Sequence, residues 1–150
     1  MIIKIIDSTI ANANTGPTRS HILTIIDDDL PPSVEFLSSN KIGALIVIEQ
    51  KAPLEEYSES GIQIQANLTS ELLCSLFWPG SPTHDGAVIV NGNQITTAGC
   101  LLPLTRSKVT DKRLGTRHMS AIGISEETDA FIIVVSEETG TISVAENGNL

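Results

Sequence analysis

Two cysteines, Cys74 and Cys100, are too few for a disulfide framework or a four-thiolate zinc site. Aromatic residues make up 3% of the chain against 41% hydrophobic residues. The core is therefore aliphatic, and its many isoleucines and valines favour strands. Bases are also scarce: nine Lys and Arg against eighteen Asp and Glu leave a net charge of −9. That balance argues against a surface gripping duplex DNA or anionic lipid along its length, so neither nucleic acid nor membrane is expected as a partner. No apolar run approaches the roughly 20 residues of a membrane helix. The longest, residues 42–48, has strand length. The opening MIIKII is too short for the apolar part of a signal peptide, and no cleavage site follows it. The expectation is a small, soluble cytoplasmic domain. Its 150 residues are one domain's worth of chain, able to remove about 70% of the unfolded surface from water.

The few bases are concentrated. Residues 106–117 hold five of the nine (Arg106, Lys108, Lys112, Arg113, Arg117), with Asp111 as the only acid among them. Beyond Met119 there is no Lys or Arg, but there are six acids. An acidic chain with one basic stretch suits a compact anion held at one place, and a solvated basic loop is the plainer alternative.

Residues 2–6 and 21–26 read as strands separated by an Asn- and Thr-rich loop. Pro32 suits a first helical turn, which predicts a short helix over 34–40. The continuous apolar run at 42–48 reads as a strand covered on both faces. A helical turn is expected at 54–59. The alternation of 62–66 predicts a half-buried strand at an edge. Thr69 is a natural N-cap for a helix over 70–77, which Trp78-Pro79-Gly80 ends. Residues 87–90 and 94–102 flank Asn91-Gly92 as a hairpin. A basic, irregular segment leads to a short helix from about Arg117, and strands follow at 131–135 and 141–145. The expected fold class is α/β: a single domain with a mixed, twisted sheet of about six strands flanked by helices.

The common phosphate-binding and hydrolase fingerprints are missing: no Gly-rich loop ending in Gly-Lys-Ser/Thr, no G-x-G-x-x-G, no H-E-x-x-H, no G-x-S-x-G. Three other stretches carry usable chemistry. In His84-Asp85-Gly86-Ala87, a carboxylate and an imidazole precede the two smallest residues at the mouth of a strand, where a ligand can approach the backbone. By itself this also reads as an Asp-Gly turn opening a strand. In Gly115-Thr116-Arg117-His118, glycine with positive φ ends one segment and Thr116 caps the next helix. Arg117 then sits where the helix dipole is already positive, an arrangement that becomes useful with an anion present. The plain alternative is an ion pair between Arg117 and a nearby glutamate. In Ser136-Glu137-Glu138-Thr139-Gly140, Ser136 offers a hydroxyl to phosphate and Glu138 an oxygen to Mg²⁺ or Mn²⁺. Taken alone, the stretch reads as an ordinary polar hairpin turn.

In this order and spacing, the three stretches resemble the diadenylate cyclase domain family, whose members join two ATP molecules into cyclic di-AMP. The resemblance runs from about residue 41 to residue 150. It includes Ser-Glu-Leu-Leu before Trp78-Pro79, Ala98-Gly-Cys-Leu-Leu-Pro-Leu and Gly123-Ile-Ser-Glu. Residues 1–40 show no such match and read as an extension that packs on or completes the domain.

The resemblance implies roles position by position. Asp85 aids deprotonation of a ribose 3′-hydroxyl, with Arg117 and His118 as the other catalytic groups. Gly86 and Ala87 let the nucleotide lie against the backbone, and Leu102 contacts adenine. Gly115, Thr116, Arg117, His118 and Ser136 hold phosphates, while His84, Asp85 and Glu138 bind Mg²⁺ or Mn²⁺. Two nucleotide-loaded domains must meet face to face, which implies at least a transient homodimer and leaves higher homo-oligomers open. The family usually has a second arginine where Met119 stands, and often an aromatic residue where Leu101 stands. Losing one cation at a triphosphate site costs about 1.5–3 kcal/mol of charge-assisted hydrogen bonding. A weakly active or inactive nucleotide sensor, and a metal-dependent phosphohydrolase, are the competing readings.

Overall fold

The computed structural model describes residues 29–150. The strands expected at 2–6 and 21–26 lie outside the described residues. The chain runs α1 (Leu30–Ser39), β1 (Ala44–Ile48), α2 (Glu55–Ser58), β2 (Ile62–Asn67), α3 (Ser70–Phe77), β3 (Ala87–Asn91), β4 (Gln94–Cys100), α4 (Thr116–Glu127), β5 (Phe131–Val135) and β6 (Ile142–Ala145).

The strands form one sheet in the order β2-β4-β3-β1-β5-β6. Among the described strands, only β1 and β3 run parallel; the other neighbours are antiparallel. The apolar run therefore lies inside the sheet, with every residue of β1 and of its neighbour β5 buried. Alternate side chains enter opposite layers. Ala44, Ile46, Ile48, Phe131, Ile133 and Val135 pack with Leu30, Val34 and Leu37 of α1 and with Leu73, Leu76 and Phe77 of α3. Leu45, Val47, Ile132 and Val134 face Leu54 and the Ala121 and Ile124 side of α4. A mixed six-stranded sheet between helices is the architecture expected from the sequence.

Helix α1 begins four residues before the expected 34. Prolines suit its first turn because the N–H they lack has no intrahelical acceptor there, and Leu30, Val34 and Leu37 repeat at i, i+4 and i+7 along one face. The later part of the 1–40 stretch is thus built into the core. Helix α3 starts as expected, with the Thr69 hydroxyl accepting from the Leu72 amide at 3.1 Å. In the β3–β4 hairpin, β3 runs through Asn91 and Gly92 takes φ 62°, so the loop is Gly92-Asn93. The helix at the basic segment is not short: α4 has 12 residues. Among the described residues, no helix is long and apolar enough to cross a membrane.

Candidate nucleotide site

The three sequence stretches meet at one end of the sheet. His84 and Asp85 precede β3, Gly115 opens α4, and Ser136 follows β5 directly. Gly86 adopts φ 92°, and a Cβ there would lie 2.8 Å from the Cys100 carbonyl oxygen. Only glycine allows β3 to start so close to the end of β4. Ala87 pairs with Cys100 and is fully buried in the second layer. Leu102, two residues beyond β4, is half-buried against the same layer.

Gly115 is itself the N-cap of α4, with extended backbone at φ −95° and ψ −169° rather than the expected positive φ. Thr116 is consequently the first helical residue instead of the cap. The amides of Thr116, Arg117 and His118 occupy the first turn, where N–H groups lack intrahelical acceptors. The Gly115 N–H donates to Nδ1 of His118 at 3.2 Å, so the neutral ring carries its proton on Nε2. His118 is buried, and this desolvation pushes its pKa below the ordinary 6.5, partly opposed by the Glu137 carboxylate. A neutral imidazole with an Nε2–H donor suits a phosphate oxygen.

Arg117 links the elements. Its Nη2 donates to the His84 carbonyl at 3.2 Å, and its Nη1 donates to the Glu137 carboxylate. The glutamate partner weighed against anion binding is thus present. Glu137 had no role in the sequence reading; nothing local signals that a residue twenty positions away reaches Arg117. Gly43 was missed for the same reason. A Cβ at Gly43 would fall 2.3 Å from Glu137 Oε2 and 2.7 Å from Arg117 Nη1, so the approach to β1 makes room for the ion pair.

Ser136 is buried, and its Oγ accepts from the amides of Glu138 and Thr139, both at 3.3 Å. These bonds orient the hydroxyl, whose own proton has no acceptor among the described residues. Lys112, Arg113, Gly115, Arg117, His118, Ser136, Glu137 and Glu138 surround a small cavity of about 50 Å³. It adjoins a groove of about 600 Å³ that also touches His118 and Ser136. Asp111 holds Arg113 through a two-point pair at 2.9 and 2.8 Å, which lowers the Asp111 pKa to about 2.

The expected metal ligands are less assembled. Among the described residues, no three His, Cys, Asp or Glu side chains gather closely enough to hold an ion by themselves, so His84, Asp85 and Glu138 are not a preformed ligand set. The donor chemistry nevertheless suits Mg²⁺ or Mn²⁺. His84 Nδ1 donates to the Ser81 carbonyl at 2.6 Å, which leaves the Nε2 lone pair for a ligand. Asp85 and Glu138 are exposed carboxylates. An ion carried in by phosphate oxygens needs only one or two such groups from the protein.

The model of the diadenylate cyclase family, described as DisA bacterial checkpoint controller nucleotide-binding, matches residues 32–150. The chain belongs to this family. Cyclic di-AMP synthase CdaA of Bacillus subtilis (strain 168) is 49% identical over 118 residues, covering 79% of this chain and 43% of that protein. Diadenylate cyclase CdaS of Bacillus thuringiensis (strain BMB171) is 52% identical over 118 residues, covering 79% and 59%. The chain thus spans about half the length of these curated relatives. Among solved structures, a double mutant of DacA from Staphylococcus aureus superposes with a TM-score of 0.75 at 48% identity, covering 77% of each chain. A hypothetical membrane spanning protein from Bacillus cereus superposes with a TM-score of 0.79 at 45% identity, covering 87% of this chain and 69% of that one. Both share the fold of the described domain.

Proposed function

We propose that this family member is a diadenylate cyclase, a nucleotidyltransferase that condenses two ATP into cyclic di-AMP and two pyrophosphates. One observation carries the reading: Arg117 joins the start of α4, the residue before Asp85 and the turn after Ser136 through two hydrogen bonds. Cation, hydroxyl, imidazole and carboxylates thereby border one cavity. The names of the relatives, cyclic di-AMP synthase and diadenylate cyclase, supply the reaction.

In each half-reaction the ribose 3′-oxygen of one ATP bonds to the α-phosphorus of the other. The bond to the bridging oxygen breaks, and pyrophosphate leaves. Asp85 accepts the hydroxyl proton. Arg117, His118 Nε2–H, the Ser136 hydroxyl and the first-turn amides of α4 bind phosphate oxygens and offset the charge that develops there. Gly86 lets the nucleotide approach the backbone, and Leu102, beyond the end of β4, borders the adenine. Asp85, Glu138 and His84 would hold Mg²⁺ or Mn²⁺, which neutralises phosphate charge when bound. Each domain holds one ATP, so the two reacting nucleotides lie between facing copies in a homodimer. Leu101, 73% exposed on the segment leaving β4, offers that second copy apolar surface.

The test is incubation of the purified protein with ATP and Mg²⁺ or Mn²⁺, followed by separation of products. Cyclic di-AMP that disappears in Asp85→Asn is the expected outcome. Linear monophosphate would make the protein a hydrolase. Met119 favours a second reading, a nucleotide sensor, which tight binding without any product would establish.

A further inference from the structure

We propose that Glu137 is a resident counter-ion of Arg117, displaced by the nucleotide's phosphates, so that this chain's own carboxylate competes with them for the guanidinium. The inference rests on the reading of the site as a nucleotide pocket and adds a control element to it.

Four observations point the same way. The cation expected to grip phosphate is already engaged, by the Glu137 carboxylate and the His84 carbonyl. The cavity beside it, of about 50 Å³, is lined by both members of this pair. The adjoining groove of about 600 Å³ shares His118 and Ser136 with it, so a polyphosphate has a way to the ion pair. Finally, Arg117 Nε is buried with no acceptor among the described residues. The pair with Glu137 thus leaves a buried donor of the same guanidinium unsatisfied, at a cost in stability.

The two partners differ in their freedom to move. The Arg117 side chain is 19% exposed, whereas Glu137 is 57% exposed. The carboxylate can therefore swing into water at little cost while Arg117 stays in place. Glu137 also repels an incoming phosphate, so retaining the pair during binding would oppose two like charges. Gly43 permits the pair to form at the buried entrance to β1, where any side chain would push the carboxylate away. The exchange is direct: Arg117 trades one anionic partner for another, and no proton need move.

The experiment is calorimetric titration of an ATP analogue with a methylene bridge between its α- and β-phosphates. Metal-free buffer is used with the wild type, Glu137→Gln and Glu137→Asp. Glu137→Gln keeps the size of the side chain and removes its charge. It should bind the analogue about two- to fivefold more tightly, the range set by a partly exposed ion pair. Glu137→Asp keeps the charge and should stay near the wild-type affinity. Wild-type binding with unchanged or weaker binding by Glu137→Gln overturns the inference and leaves the nucleotide reading intact. No heat from any of the three proteins, in this buffer or with Mg²⁺ or Mn²⁺ added, overturns the nucleotide reading, and the inference with it.

Discussion

Arg117 donates from Nη2 to the carbonyl of His84 at 3.2 Å, tying the first turn of α4 to the residue before Asp85. The guanidinium fork makes this contact and the one to Glu137 together, which a single ammonium cannot reproduce. Arg117→Lys should retain the fold and the charge but lose the geometry. Turnover to cyclic di-AMP is expected to fall by about 10- to 100-fold, from the loss of about 1.5–3 kcal/mol of charged hydrogen bonding. A melting temperature close to wild type, measured beside the rate, separates this from unfolding.

His118 supplies a pH dependence of stability. Burial holds its folded pKa below the ordinary 6.5, so the unfolded chain takes up its proton first as pH falls. The contribution of the neutral ring is complete above about pH 6.5 and is lost below it, toward the folded pKa. Thermal melts at pH 7.5 and 5.5 should show a drop in the wild type that is smaller in His118→Gln. An equal drop in both proteins would remove His118 as its source.

Gly123 sits inside α4, where alanine is ordinarily favoured by about 1 kcal/mol. Here a Cβ would lie 2.0 Å from the Pro103 carbonyl oxygen, so helix and backbone segment cannot both keep their places. Gly123→Ala should destabilise by about 1–3 kcal/mol, lowering the melting temperature by about 2–10 °C. The same shift moves the backbone beside Leu102, so nucleotide affinity should fall with it in a titration of the folded variant.

Met119 stands in the first turn of α4, half-buried, where the family usually carries a second arginine. Met119→Arg adds a cation at the phosphate end of the site and should raise turnover by up to about tenfold, the equivalent of one charged hydrogen bond. Steady-state rates of cyclic di-AMP formation decide it. An unchanged or lower rate assigns the lost arginine no part in limiting the reaction.

Much of the fold was legible because its signals are local. The 42–48 run announces a strand buried on both faces, and β1 is one. Thr69 caps the helix it was expected to cap. The alternating segment after Gly61 became the edge strand β2. Helix α4 was harder to read, because Thr, Ser, Gly and acids interrupt its apolar residues. Ala121, Ile122, Gly123, Ile124 and Ser125 are all buried nonetheless, since the helix is enclosed by the sheet on one side and the 103–104 backbone on another. No one-face pattern describes such a helix.

The amino-acid order alone determined the residue types at the site, the aliphatic core and the starts of α3 and β2, since propensity, capping and hydrophobic period act over a few neighbours. Tertiary structure alone decided that β1 lies parallel to β3 and antiparallel to β5. It also decided that Gly115 caps α4 and that Arg117 meets Glu137 across the approach to β1. These depend on packing between segments tens of residues apart, where the energy of a contact exists only once the sheet has brought its two sides together.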